Sequence, residues 1–332
     1  MTEPVKMKAF TRTKYGPPEV LHQGEVDRPV PADNEVLVRV HAVSINKADW
    51  YDLNPPLFFQ YVLIRSRKPQ NQFVLSDMSG TVESVGKDVK QFHPGDEVYG
   101  AGHSGLAEYT SAREDRLVAK PPNVTFEQAA AVPIAGLTAL QFLRDKGEVK
   151  PGSKVLIYGA SGGVGTFAVQ IAKALGAEVT AVTSPGSLER ARAMGADHVI
   201  DYSKEDFANR GEKYDVVMAI NGRRSIFTFS GALRKDGIFV LVGSSKIIRS
   251  LVEFFIVGPL ISRTRKVKRR FGIAEIKQAD LLALNTFMES GKVSPVVARS
   301  YPFDKAVEAF NYFEEGHTPG KVVITVDSIS GN

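Results

Sequence analysis

The stretch Lys154-Val155-Leu156-Ile157-Tyr158-Gly159-Ala160-Ser161-Gly162-Gly163-Val164-Gly165 decides how this chain is read. Val155 to Tyr158 read as an apolar strand, the glycine-rich run as a turn, and residues 166–175 as a helix that opens directly from it. That order leaves backbone N–H groups unpaired at the positive end of a helix dipole, where a pyrophosphate is well held. Gly159 permits the tight turn, Gly162 lets phosphates approach the backbone, and Gly165 lets the helix pack close to the strand. Beyond the helix, Gly176-Ala177 leads to a second β-rich segment, residues 178–183. The unit has the size of a strand-helix-strand crossover that binds a dinucleotide, about 30 residues. Its spacing is G-x-x-G-x-x-G, so a doubly wound domain with a glycine-rich turn and no ligand stays the competing reading.

Working outward, strand and helix patterns alternate from residue 124 on. Further strands are expected at 198–200, 216–220, 238–242 and about 266–273, which predicts a parallel doubly wound sheet with right-handed connections. Asn123 or Thr125 is placed to cap a helix running into the Ala-rich segment from Ala129. Residues 1–123 instead show short strands between Pro/Gly turns, at 36–43, 80–86 and after Pro94-Gly95, as in a small β barrel. The tail predicts a helix over 280–288, an extended stretch at 296–300 and a closing strand at 321–326. Between the last two, Asp304 is expected to cap a helix carrying Ala306, Phe310 and Phe313 on one face, stopped by Gly316. The expected division is one domain of residues 1–123 completed by 276–332, a second of 124–275, and a cleft between them.

Composition narrows the chemistry. At 332 residues the chain suits two domains, with 43% hydrophobic and 24% charged residues, as in soluble globular proteins. The N-terminal residues show neither a secretion signal nor a transit pattern, which makes the cytoplasm the expected location. There is no cysteine, so disulfides, thiol nucleophiles, thiolate zinc sites and Fe–S clusters are excluded. His22, His41, His93 and His103 lack the spacing of a metal site, and no metal is expected. The net charge of +5 comes from 42 basic and 37 acidic residues, and it is local. Arg263, Arg265, Lys266, Lys268, Arg269 and Arg270 lie together, next to an apolar run. Segment 251–270 reads either as a peripheral contact with an anionic membrane or as a buried or subunit-facing segment followed by a solvated turn. No nucleic-acid motif accompanies it.

Five groups of residues, in this order, resemble the medium-chain dehydrogenase/reductase superfamily, in its zinc-independent quinone oxidoreductase-like branch. They are Pro94-Gly95-Asp96-Glu97-Val98; Ala129-Ala130-Ala131-Val132-Pro133 with Gly136-Leu137-Thr138-Ala139; the glycine loop; the run from Gly195 to Tyr202; and Gly320-Lys321-Val322-Val323. Ser44-Ile45-Asn46-Lys47-Ala48-Asp49-Trp50 is similar to the branch's active-site segment. The resemblance implies a Rossmann domain with a doubly wound parallel sheet, plus a mainly β GroES-like barrel domain, and a homodimer. Zinc alcohol dehydrogenases carry a cysteine near the position of Asn46 and a histidine near Asp77, and neither is here.

The resemblance also implies a site. Ser161, Gly163 and Val164 join Gly159, Gly162 and Gly165 around the pyrophosphate. The second strand ends in Thr183-Ser184-Pro185-Gly186 with no carboxylate to bind ribose hydroxyls, which favours NADPH over NADH. Ser184 and Tyr202 match residues that contact the 2′-phosphate, while the expected neighbouring cation is missing and the nearest are Arg190 and Arg192. Asn221, Gly243 and Ser244 follow later strands, toward the cofactor's riboses and nicotinamide. Thr138 and Lys321 are further cofactor candidates, with helix packing and an exposed strand-end lysine as the plainer readings. Asn46 is the candidate for positioning nicotinamide and substrate carbonyl, against a simple turn asparagine. Trp50 and Tyr51 are candidate pocket walls. Without zinc, the expected substrate accepts hydride easily: a quinone or an α,β-unsaturated carbonyl. A metal-free alcohol or aldehyde oxidoreductase and a cofactor-binding protein with little turnover are the alternatives.

Overall fold

The computed structural model describes residues 4–56, 69, 71–222, 224–243, 252–316 and 318–326. Two units emerge. One comprises residues 1–134, 276–285 and 295–332, and the other 135–275 and 286–294. The first boundary falls eleven residues later than the expected 123. The reason is the helix Phe126–Ala130, which packs on the β-rich unit through Ala130 and Ala131 against Ala42 and Val323. Thr125 does cap this helix, accepting from the Gln128 N–H at 3.2 Å while Gln128 returns the bond.

The second unit holds a six-stranded sheet in the order His198–Asp201, Glu178–Thr183, Lys154–Tyr158, Tyr214–Ala219, Leu233–Leu241, Lys268–Phe271. All five pairings are parallel. Val155 to Tyr158 are buried, as expected of a central strand covered on both faces. Its aromatic core stacks Phe207 on Phe229 and Phe229 on Phe239. Residues 286–294 group with this unit because Gln170 bonds the backbone of Ser294 in both directions, at 2.8 and 3.0 Å.

The segment after residue 251 continues this unit. Phe254 is buried against Phe239, whereas Phe255 and Ile256 are exposed. The adjacent basic cluster is partly consumed internally. Arg269 donates to Ser262 Oγ at 2.8 Å and lies over the Phe254 ring, and Lys268 and Arg270 pair with Glu148. Lys268 and Arg270 thus share one acid, and Arg269 is held by a neutral hydroxyl and a ring. Among the described residues no helix is long and apolar enough to cross a membrane.

The first unit holds a seven-stranded mixed sheet and a two-stranded ribbon. Its organiser is the long strand Glu35–Ile45. One edge pairs with Asp77–Val85. The other is shared, residues 35–39 pairing with Tyr109–Arg113 and residues 42–45 with Lys321–Thr325. The tail differs from expectation at one cap. Asp304 sits inside the 3-10 turn Phe303–Lys305, and the helix Ala306–Glu315 starts after it without a side-chain cap. Phe303 buries its ring against Phe10 at 5.1 Å, and that anchorage tightens the entry and carries Asp304 out of capping register. Gly316, at φ 75°, ends the helix as expected.

Candidate active site

In the second unit, the register sets Tyr158, Val182, Ala219 and Leu241 abreast. The residues that follow them therefore gather along one edge of the sheet: Gly159 to Gly165, Thr183 and Ser184, Asn221, and Gly243. Strand order reverses between Lys154–Tyr158 and Tyr214–Ala219, the place where open α/β sheets bind ligands. Gly159 has φ 88°, closed to most side chains. A Cβ on Gly165 would meet Gly159 O at 2.2 Å and Ala160 C at 2.6 Å, so helix and strand approach as expected. A Cβ on Gly162 meets nothing nearer than 3.8 Å, so space remains above the turn. The 12-residue helix Gly163–Ala174 begins after Gly162 with no side-chain cap, which leaves its first N–H groups for an anion.

The end of the Glu178–Thr183 strand completes this edge. Asp201 stands opposite Thr183, and the Tyr202 N–H donates to Thr183 O at 3.2 Å. Thr183, Ser184 and Tyr202 are thus neighbours. The Thr183 hydroxyl is buried without a partner. Lys204, overlooked in the sequence, lies on the turn after Tyr202, 4.0 Å from Asp201. An uncapped helix start, an open turn and an orphaned hydroxyl fit a dinucleotide. Thr138 is buried on the helix Pro133–Gln141, and Ser244 lies outside the described residues.

In the first unit, register again does the placing. Ile45 faces Val322 and Val43 faces Met78, so Lys321 and Asp77 flank Asn46 where its strand ends. Lys321 Nζ donates to Asn46 Oδ1, and Asn46 Nδ2 donates to Asp77 Oδ2 at 2.9 Å. Lys321 is 3% exposed and Asp77 0%, so Lys321 is no exposed strand-end lysine. Asp77 also accepts the Ile134 N–H at 3.1 Å, and Asp49 accepts the Asn46 N–H at 2.8 Å. Burial pushes the Asp49 carboxyl up to about 7, helped by the charge of Asp77. Burial also raises Asp77 and lowers Lys321, against the attraction between them.

This geometry engages both ends of the Asn46 amide, with Lys321 at the oxygen and Asp77 at the nitrogen. Asp49 and Asp77 were not singled out in the sequence. The available signal was a pair of acids and a lysine set in otherwise apolar strand and helix ends. Just beyond Asp49, Trp50 and Tyr51 line a cavity of roughly 450 Å³ with Tyr15, Gly16, Asn54 and Pro55. Most of the aromatic loop that follows lies outside the described residues.

Residues 32–123 match the family described as alcohol dehydrogenase GroES-like domain, and residues 194–324 that described as zinc-binding dehydrogenase. A 2-methylene-furan-3-one reductase of Solanum lycopersicum is 33% identical over 97% of this chain and 79% of its own. A chloroplastic NADPH-dependent alkenal/one oxidoreductase of Arabidopsis thaliana is 32% identical over 97% and 80%. A solved quinone oxidoreductase from Coxiella burnetii gives a TM-score of 0.84 at 30% identity, covering 97% of this chain and 100% of that one. The chain belongs to the medium-chain dehydrogenase/reductase superfamily. Within it, it falls in the quinone oxidoreductase-like branch.

The zinc in one family description meets an unsuitable donor set. Zinc takes thiolate, imidazole and carboxylate ligands, and this chain has no cysteine. His41 is engaged with Thr81 at 2.9 Å and stacks near Phe126, and His103 pairs with Glu35 at 2.8 Å. Where Asn46 meets Asp77, the Lys321 ammonium already supplies the positive charge. These residues do not fit a zinc ion.

Proposed function

We propose that this chain reduces quinones or α,β-unsaturated carbonyl compounds with NADPH, without a metal ion. The observation that carries this reading is the uncapped start of the Gly163–Ala174 helix at the strand-order reversal of a parallel sheet. The names of the relatives, which act on enones, alkenals and quinones, support the substrate class.

NADPH, when bound, supplies the hydride. The residues supply the rest. The first-turn N–H groups hold the diphosphate, with Ser161, Gly163 and Val164 closest to it. Thr183 offers its unpartnered hydroxyl, and Ser184 with Tyr202 meets the 2′-phosphate, assisted by the Lys204 charge. No acid ends the Glu178–Thr183 strand to prefer a free ribose hydroxyl. Tyr51 offers an aromatic face on which a flat, apolar ring stacks, with Trp50 packed in the core behind it. Substrates of this kind need little activation, because the incoming electron pair is delocalised as it arrives, and the proton comes from solvent.

The test is oxidation of NADPH and of NADH with a panel of quinones, enones and aldehydes, and reduction of NADP+ and NAD+ with alcohols, both followed at the nicotinamide band. Consumption with quinones or enones, faster with NADPH, is expected. Turnover restricted to aldehydes and alcohols, or none at all, would overturn the proposal.

A further inference from the structure

The buried cluster of Asn46, Asp49, Asp77 and Lys321 is used by no step above, yet it lies directly behind the pocket wall. Two long-range strand registers deliver its members from positions 46, 77 and 321 of the chain. The Asn46 amide is addressed at both ends. Its oxygen accepts from the Lys321 ammonium, and its nitrogen donates to Asp77. Amide orientation is thereby fixed, since a flip would face donor to donor at Lys321 and acceptor to acceptor at Asp77.

From the same residue the helix Lys47–Leu53 begins, its first turn closed by the Asp49 carboxylate on the Asn46 N–H. The next two residues of that helix, Trp50 and Tyr51, are the pocket wall. Two buried carboxylates share one buried ammonium. Removing the ammonium leaves like charges side by side in a dry interior and frees the amide to turn.

We propose that Lys321 is a positioning residue: its ammonium is the fixed cation that locks the Asn46 amide and the start of the Lys47–Leu53 helix, presetting Trp50 and Tyr51 for the substrate ring. This rests on the pocket reading given above. In this role the side chain takes the organising part that a metal ion would play, with a positive charge covalently tethered to the Lys321–Thr325 strand.

Trp50 is the single tryptophan of the chain, so its emission reports on this helix alone. Lys321→Ala should shift Trp50 emission to longer wavelength and raise KM for the quinone or enone by about tenfold or more. NADPH affinity should stay near that of the unaltered protein. Added propylammonium, which fills the vacated space with a positive charge, should reverse both effects, while propanol should not. Unchanged emission and KM would overturn the proposal, as would equal rescue by propanol or a loss confined to NADPH affinity. Should Lys321→Ala not fold, the pair Lys321→Met with Asp77→Asn removes both charges at similar volume. It should fold with shifted emission and raised KM, and values like those of the unaltered chain would overturn the idea. If the unaltered protein turns over no quinone or enone, the functional reading falls, and the Trp50 emission still decides the positioning role.

Discussion

A Cβ on Gly165 would stand 2.2 Å from the carbonyl oxygen of Gly159, closer than any real contact of that kind. Gly159 belongs to the turn and Gly165 to the first helical turn, so this approach sets how near the helix start comes to the strand end. Gly165→Ala is therefore expected to cost about 1–3 kcal/mol of stability, as overpacking does, and to abolish tight NADPH binding. Gly162→Ala has open space, with its nearest contact at 3.8 Å. It should change stability by less than about 1 kcal/mol yet still weaken NADPH. Thermal unfolding combined with cofactor titration checks the contrast, and equal stability loss in both variants would refute it.

Cofactor choice follows from the neighbours Thr183, Ser184 and Tyr202. Placing a carboxylate among them with Ser184→Asp should lower kcat/KM for NADPH by about tenfold or more through like-charge repulsion. NADH, lacking the 2′-phosphate, should be affected far less. The ratio of the two specificity constants measures this, and a ratio that stays put would remove Ser184 from the phosphate site.

Stability should depend on pH through Asp49. Its carboxyl is raised from 3.8 to about 7 in the folded chain, so the folded state binds that proton more tightly than the unfolded state. The resulting stabilisation is full below about pH 4 and is lost as pH rises through 7. Denaturant unfolding between about pH 5 and 8 should show stability falling by up to roughly 1.4 kcal/mol per pH unit. Asp49→Asn keeps an acceptor for the Asn46 N–H and should flatten that slope. An identical slope in the variant would show that other groups cause it.

At the pocket, Tyr51→Ala should raise KM for aromatic quinones by about tenfold, the loss of one stacking face and its buried area, with NADPH affinity unchanged. Quinone binding should quench Trp50 emission in the unaltered protein. Saturating quinone with no quenching would place the substrate elsewhere.

Sequence reading found the strand, glycine turn and helix of the parallel-sheet unit because their determinants are local. Gly159, Gly162 and Gly165 each act within six residues of one another, and the capping pair of Thr125 and Gln128 spans three. The Asn46 cluster was only half seen, because it depends on strand register between segments 31 and 275 residues apart. Asp77 entered the sequence reading only as a place without histidine, and Lys321 only as a cofactor candidate. Asp304 had the composition of a cap, but burial of its neighbour Phe303 decided the local backbone. Lys204, only three residues from Asp201, was within local reach of the sequence and was passed over in favour of Arg190 and Arg192.

The account rests on the start of the Gly163–Ala174 helix holding the diphosphate of a reduced pyridine nucleotide. Calorimetric titration of the purified protein with NADPH tests this most directly. One saturable site per chain is expected, lost in Gly165→Ala and competed by free pyrophosphate. An unchanged heat signal on adding NADPH, or binding that survives Gly165→Ala intact, would contradict it.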